Sequence, residues 1–89
     1  MIIGKVIGTV VSTRKNANLT GSKFLIVEPM DSMASGLFVA VDNVGAGEGE
    51  LVLVATGSAA RVGTGNENAP VDALIVGIVD SAEQIRMNR

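Results

Sequence analysis

With 89 residues, no Cys and no His, the chain has room for one hydrophobic core and lacks the residues that most often supply disulfides, thiol chemistry, metal ligation and general bases near neutral pH. Nine acids against seven bases leave a net charge of −2 with no block of like charge, which gives no sign of a nucleic-acid or anionic-membrane partner. Phe24 and Phe38 are the only aromatic residues in a chain that is 47% hydrophobic, so the apolar mass is Val, Ile, Leu and Ala, a bias toward strands.

The start, Met1 to Lys5, does not resemble a leader, because a single Lys follows two Ile instead of preceding a long apolar stretch. The apolar runs are shorter than the roughly 20 residues of a membrane helix. The expectation is a single cytosolic domain over residues 1–89.

Five segments read as strands: Ile2 to Ser12, Lys23 to Glu28, Leu37 to Asp42, Glu50 to Thr56 and Ala73 to Asp80, each bounded by Gly, Pro, Asn, Asp or Ser. The connections hold Asn16, Asn18 and Gly21, then Pro29 to Gly36, then Gly45 to Gly49, then Gly57 to Pro70. Only the last is long enough to link parallel strands, so the sheet should be mainly antiparallel. Ser58 to Val62 can make one helical turn, and Ser81 with Gln84 matches a capping box opening a short helix up to Met87. Five short strands with Gly4, Gly8 and Gly77 inside them predict an all-β, OB-like barrel with one or two helical turns.

The strands do not alternate cleanly between apolar and polar. On the last one Leu74, Val76 and Ile78 share one face and Ile75, Gly77 and Val79 the other, so both faces are apolar. A half-wet antiparallel sheet should show a polar face. Self-association is one way to cover the surplus surface, and a terminal segment folding back over it is the other. Leu74, Val76 and Ile78 are expected inside; Ile75, Gly77 and Val79 are expected at a subunit boundary, where Gly77 admits a close neighbour.

Three further clusters invite a functional reading. Gly45-Ala46-Gly47-Glu48-Gly49 has the glycine density of a phosphate cradle, yet it lacks the Lys and Ser/Thr of a P-loop and the strand and helix order of a dinucleotide fold, so a tight turn is expected. Such a turn, at Gly45, Ala46 and Gly47, suits a crowded symmetry axis. Gly57-Ser58-Ala59-Ala60-Arg61 sets a hydroxyl and a guanidinium near a helical turn; these can hold an anion, meet a neighbour's acceptor, or act as a cap and a solvated side chain. Asp42, Asp72 and Asp80 end strands, where Asp commonly bonds the local backbone. No set of residues singles out a catalytic centre, a cofactor or a metal site.

Several segments in order carry a resemblance. Gly4-Lys5-Val6 with Gly8 to Lys15, Leu19 to Val27, Val41-Asp42 with Val44 to Gly47 and Gly49-Glu50, Gly57 to Arg61, and Pro70 to Ala73 with Val76 to Asp80 together resemble the EutN/CcmL-like vertex family of bacterial microcompartment shells. Leu51 stands where members often carry Trp, and Glu48 adds a charge to the glycine turn. The resemblance implies a homo-pentamer at the five-fold corners of a polyhedral shell whose facets are hexameric shell proteins, with no enzymatic activity. Two rivals remain. One is an OB-type module for an oligonucleotide or oligosaccharide, which would combine a basic groove with stacking aromatics. The other is a small enzyme or its regulatory subunit.

Overall fold

The computed structural model describes residues 1–30, 34 and 36–88. Its strands are β1 (Ile2–Val10), β2 (Lys23–Pro29), β3 (Phe38–Asp42), β4 (Leu51–Thr56) and β5 (Ala73–Val79), with one helix, α1 (Ser58–Gly63), between the last two. They close into a barrel in the order β1-β2-β3-β5-β4. The connection expected at Pro29 to Gly36 falls largely outside the described residues.

β1 is the longest strand because its two partners are staggered along it. It runs antiparallel to β2 from Gly4↔Pro29 to Val10↔Phe24, and to β4 from Ile2↔Val54 to Lys5↔Leu51. The approach of β2 explains Gly4: a Cβ there would collide with Val27 Cγ1 and the Glu28 carbonyl, so only glycine fits. β3 and β5 run parallel, and their register holds just two pairs, Val41↔Leu74 and Asp42↔Ile75.

The interior is aliphatic. Val6, Leu25, Val27, Ala40, Ala46, Val52, Val54, Ala73 and Ile75 are buried together, and Ile2, Phe38 and Ile78 pack against them. On β5 this departs from strict alternation. Leu53 pairs with Gly77 but Val54 pairs with Ile75, so Val76 is an extra, bulged residue. The bulge resets the phase of the strand. Ala73, Ile75 and Ile78 therefore face inward, while Val76, expected inside, is 40% exposed. Ile75, expected at a subunit boundary, is 0% exposed in the core of its own chain. Of the three residues expected inside, only Ile78 belongs to the barrel interior.

Leu74 is buried on the outer wall. The segment from α1 to Val71 folds over the weak β3–β5 seam and forms a second apolar cluster of Ala60, Ala69, Val71 and Leu74, flanked by Leu19 and Val41. Asn66 Nδ2 donates to Asn18 Oδ1 at 3.3 Å, tying this cover to the β1–β2 loop. Self-coverage of the outer face thus occurs through a mid-chain segment, over the β3–β5 seam.

The expected capping box forms: the Ser81 side chain accepts from the Gln84 amide, and Gln84 Oε1 accepts from the amides of Asp80 at 2.9 Å and Ser81 at 3.3 Å. The helix it opens is shorter than expected, a 3-10 turn over Ala82–Gln84 that ends at Ile85 in extended backbone. No residue from Asp80 to Asn88 is buried.

Candidate assembly surfaces

The glycine turn after β3 is an anion cradle already filled by its own chain. Asp42 Oδ1 accepts from the Val44 amide at 3.1 Å, and Oδ2 accepts from the amides of Gly45 at 3.1 Å and Ala46 at 3.0 Å. The Asp42 side chain is only 1% exposed, and the Lys23 ammonium stands 3.8 Å from Oδ2 while donating to the Ala46 carbonyl. Glu50 Oε1 takes the Gly47 amide at 2.7 Å, and the Gly49 amide donates to the Val6 carbonyl at 2.8 Å. Gly45 sits at φ +88, where L side chains are strained. With these amides engaged, Gly45, Ala46 and Gly47 form a stiff structural turn without room for a phosphate. Asp42 thus bonds the local backbone as expected of an Asp at a strand end, and organises the whole turn in doing so. The signal for it is local: an Asp placed two to four residues before amides that no strand engages, the spacing of an Asx-type turn.

Ser58 and Arg61 lie together on α1, both exposed, and neither side chain forms a hydrogen bond or ion pair among the described residues. α1 is a six-residue helix that packs on β4 and β5. Asp72 and Asp80 are exposed, and among the described residues no three acidic side chains gather as a metal-binding set. Phe24 and Phe38 do not form a stacking platform: Phe38 packs against the barrel interior, while Phe24 pairs with Val41 on the outside. The requirements of an oligonucleotide-binding barrel are therefore not met by its aromatics.

What the barrel does present is apolar wall. Ile3, Leu53 and Gly77 form one cross-strand row, and Lys5, Leu51 and Val79 the next, all on the outside of β1, β4 and β5. Gly77 and Val79 are thus brought together as expected, with Ile3, Leu51 and Leu53 as neighbours that only the register reveals. Across the Lys5↔Glu28 pair lies a second outer sector on β1, β2 and β3, with the row Gly8–Ile26–Val39 and the pair Val10–Phe24, ending where Val41 passes under the cover. Here Val39 is 49% exposed and Val10 37%. A single barrel with two separate apolar sectors suits head-to-tail contact between copies, in which unlike surfaces meet.

A closed five-stranded barrel with a packed interior and, among the described residues, two partly exposed apolar sectors on its outside defines the class, a small β subunit suited to association with its like. The comparisons place it further. The family described as Ethanolamine utilisation protein EutN/carboxysome matches residues 1–80, and the chain belongs to that family. It is 54% identical over 84 residues to the carboxysome shell vertex protein CcmL of Synechocystis, covering 91% of this chain and 84% of the relative. It is 49% identical over 88 residues to the bacterial microcompartment shell vertex protein GrpN of Rhodospirillum rubrum, covering 96% of this chain and 99% of the relative. The solved pentameric shell protein GrpN of that organism superposes with a TM-score of 0.77 at 48% identity, over 91% of this chain and 96% of the other.

Proposed function

We propose that this protein is a structural subunit of a bacterial microcompartment shell inside the cell, in which five copies close into a ring that occupies a vertex among hexameric shell proteins. It catalyses nothing and takes no cofactor. The observation that carries the reading is the agreement of nearly the whole chain, in sequence and in fold, with relatives described as shell vertex proteins. The two partly exposed apolar sectors support it, because a head-to-tail ring needs two unlike faces on each copy.

Within that reading, Gly77 and Val79 belong to one subunit boundary together with Ile3, Leu51 and Leu53. Ser58 and Arg61 approach an acceptor on the adjoining copy, and the Gly45, Ala46, Gly47 turn lies near the ring axis, where its stiffness keeps the opening constant. Native mass spectrometry should return five subunits as the main species. A monomer at micromolar concentration would remove the proposal, and a ring of six would contradict the vertex role. Deleting the gene should leave lumen enzymes with normal turnover in extracts while the shells become open or elongated.

A further inference from the structure

Away from the assembly surfaces, one cleft has the make-up of a small-molecule site. It lies between the β1–β2 loop, the end of β3 and the cover that runs from α1 to Val71, with a volume of about 310 Å³. That is the lower end of the size range of ligand pockets. The two loops that flank it, β1–β2 and β4–β5, are those from which a five-stranded OB-type barrel reaches its ligands. No residue of the two apolar sectors lines it.

The walls of the cleft are polar and its floor is apolar. Asn18, Thr20 and Ser22 stand on one side, with Asn43 at the end of β3 and Asn66 on the cover, above Val41, Ala69 and Val71. One hydrogen bond joins the walls, from Asn66 Nδ2 to Asn18 Oδ1 at 3.3 Å. The remaining groups are spare. Asn18 Nδ2 keeps its own N–H donors, and the side chains of Thr20, Ser22 and Asn43 form no hydrogen bond among the described residues. Carboxamides and hydroxyls both donate and accept, so they match a ligand that does the same.

Charge and aromatic rings are missing from the lining. Among the described residues there, Asp42 alone is ionisable, and its 1% exposed side chain is spent on the amides of residues 44–46 beside Lys23. An anion therefore finds no base on the lining, and a flat nucleobase finds no ring to stack on. A saturated ring that carries hydroxyls has the complementary form, an apolar C–H face and a rim that donates and accepts.

We propose that this cleft binds a single neutral cyclic polyol of monosaccharide size, its C–H face on Val41, Ala69 and Val71 and its hydroxyls on Asn18, Thr20, Ser22 and Asn43. The site adds to the proposed structural role and leaves it unchanged. Few atoms and a shallow seat make the binding weak, with a Kd on the order of 1 mM.

The test follows the amide signals of the full 15N-labelled chain by NMR as myo-inositol is added. The side-chain amides of Asn18 and Asn43 and the backbone amides of residues 18–22, 41–43 and 64–71 should shift along one saturable curve with a midpoint of about 1 mM. Those of Ile3, Leu53 and Gly77 should stay in place. Asn43→Leu and Thr20→Val each remove hydrogen-bonding groups at nearly constant size, and each should raise the midpoint about three- to tenfold while the urea midpoint of unfolding stays the same. Inositol monophosphate should bind no more tightly than the neutral ring. Shifts that fail to saturate by about 100 mM, shifts spread over the whole barrel, or variants that bind like wild type would each overturn the proposal. A gain of about tenfold from the phosphate would overturn it too, because Lys23 beside the cleft would then be recognising an anion. The readout is binding by the folded chain, so a failure here is distinct from a failure to form rings.

Discussion

Leu74 and Leu53 both point outward from the barrel wall, and their chains of contact differ. Leu74 is 1% exposed beneath Ala60, Ala69 and Val71, so the segment between β4 and β5 accounts for it. Leu53 lies half-buried between Ile3 and Gly77 in a row outside that cluster. An apolar outer face is therefore of two kinds, one closed within the subunit and one that the proposed ring would cover. The first kind should govern folding and the second assembly.

The sharpest break of that contrast lies in adjacent residues of β5. Ile75→Asp would bury an unpaired charge in the barrel, a cost of several kcal/mol. A domain of this length has a total stability of about 4–13 kcal/mol, so the expected product is unfolded or insoluble protein. Val76→Asp, on the bulge, should give a folded barrel by circular dichroism. Equal damage from both would mean that the bulge is not where the register puts it.

Next in size is the leucine pair itself. Leu74→Ala should lower stability by about 3 kcal/mol, as core truncations do, visible as a lower urea midpoint. Leu53→Asp should leave a folded chain that no longer assembles. Rings that survive Leu53→Asp would place the subunit boundary on another sector.

The Asp42 turn offers a third, intermediate case, because its contacts are internal although it stands near the surface. Asp42→Ala strips the acceptor from three amides and leaves the Lys23 ammonium without its carboxylate. The expected loss is about 2–3 kcal/mol in thermal or urea unfolding. A loss below about 0.5 kcal/mol would mean that water replaces the carboxylate without cost.

How far the sequence reveals this division depends on the range of the interaction that decides it. Strand limits at Lys23, Asp42 and Thr56 are legible because turn residues bound them, and the Ser81 and Gln84 box because its partners are three residues apart. The helix beyond it stops at Ile85 because so short a segment gains too little from helix propagation to offset nucleation. The facing of β5 is not legible, since a bulge at Val76 exists only in relation to the register of β4. The covering of Leu74 and Val41 by residues 58–71 is equally hidden, being a contact between distant parts of the chain. Two apolar faces in a strand therefore reveal surplus surface, and only the fold tells which part of it is already used.

Arg61 gives the smallest expected effect and separates the two kinds of surface at a polar position. It is exposed in the last turn of α1, where any cation gains slightly from the helix end. Lysine keeps that gain and the charge but lacks the planar fork that grips a carboxylate or carbonyl pair. Arg61→Lys should therefore leave the spectrum and the unfolding midpoint of the barrel unchanged while raising the concentration for ring dissociation about threefold, the scale of one exposed pair. Arg61→Ala should raise it further, and added salt should narrow the gap between wild type and Ala, because screening acts on exposed charges. If the Ala variant assembles as well as wild type at moderate salt, Arg61 is a solvated side chain and the boundary is held by the apolar rows alone.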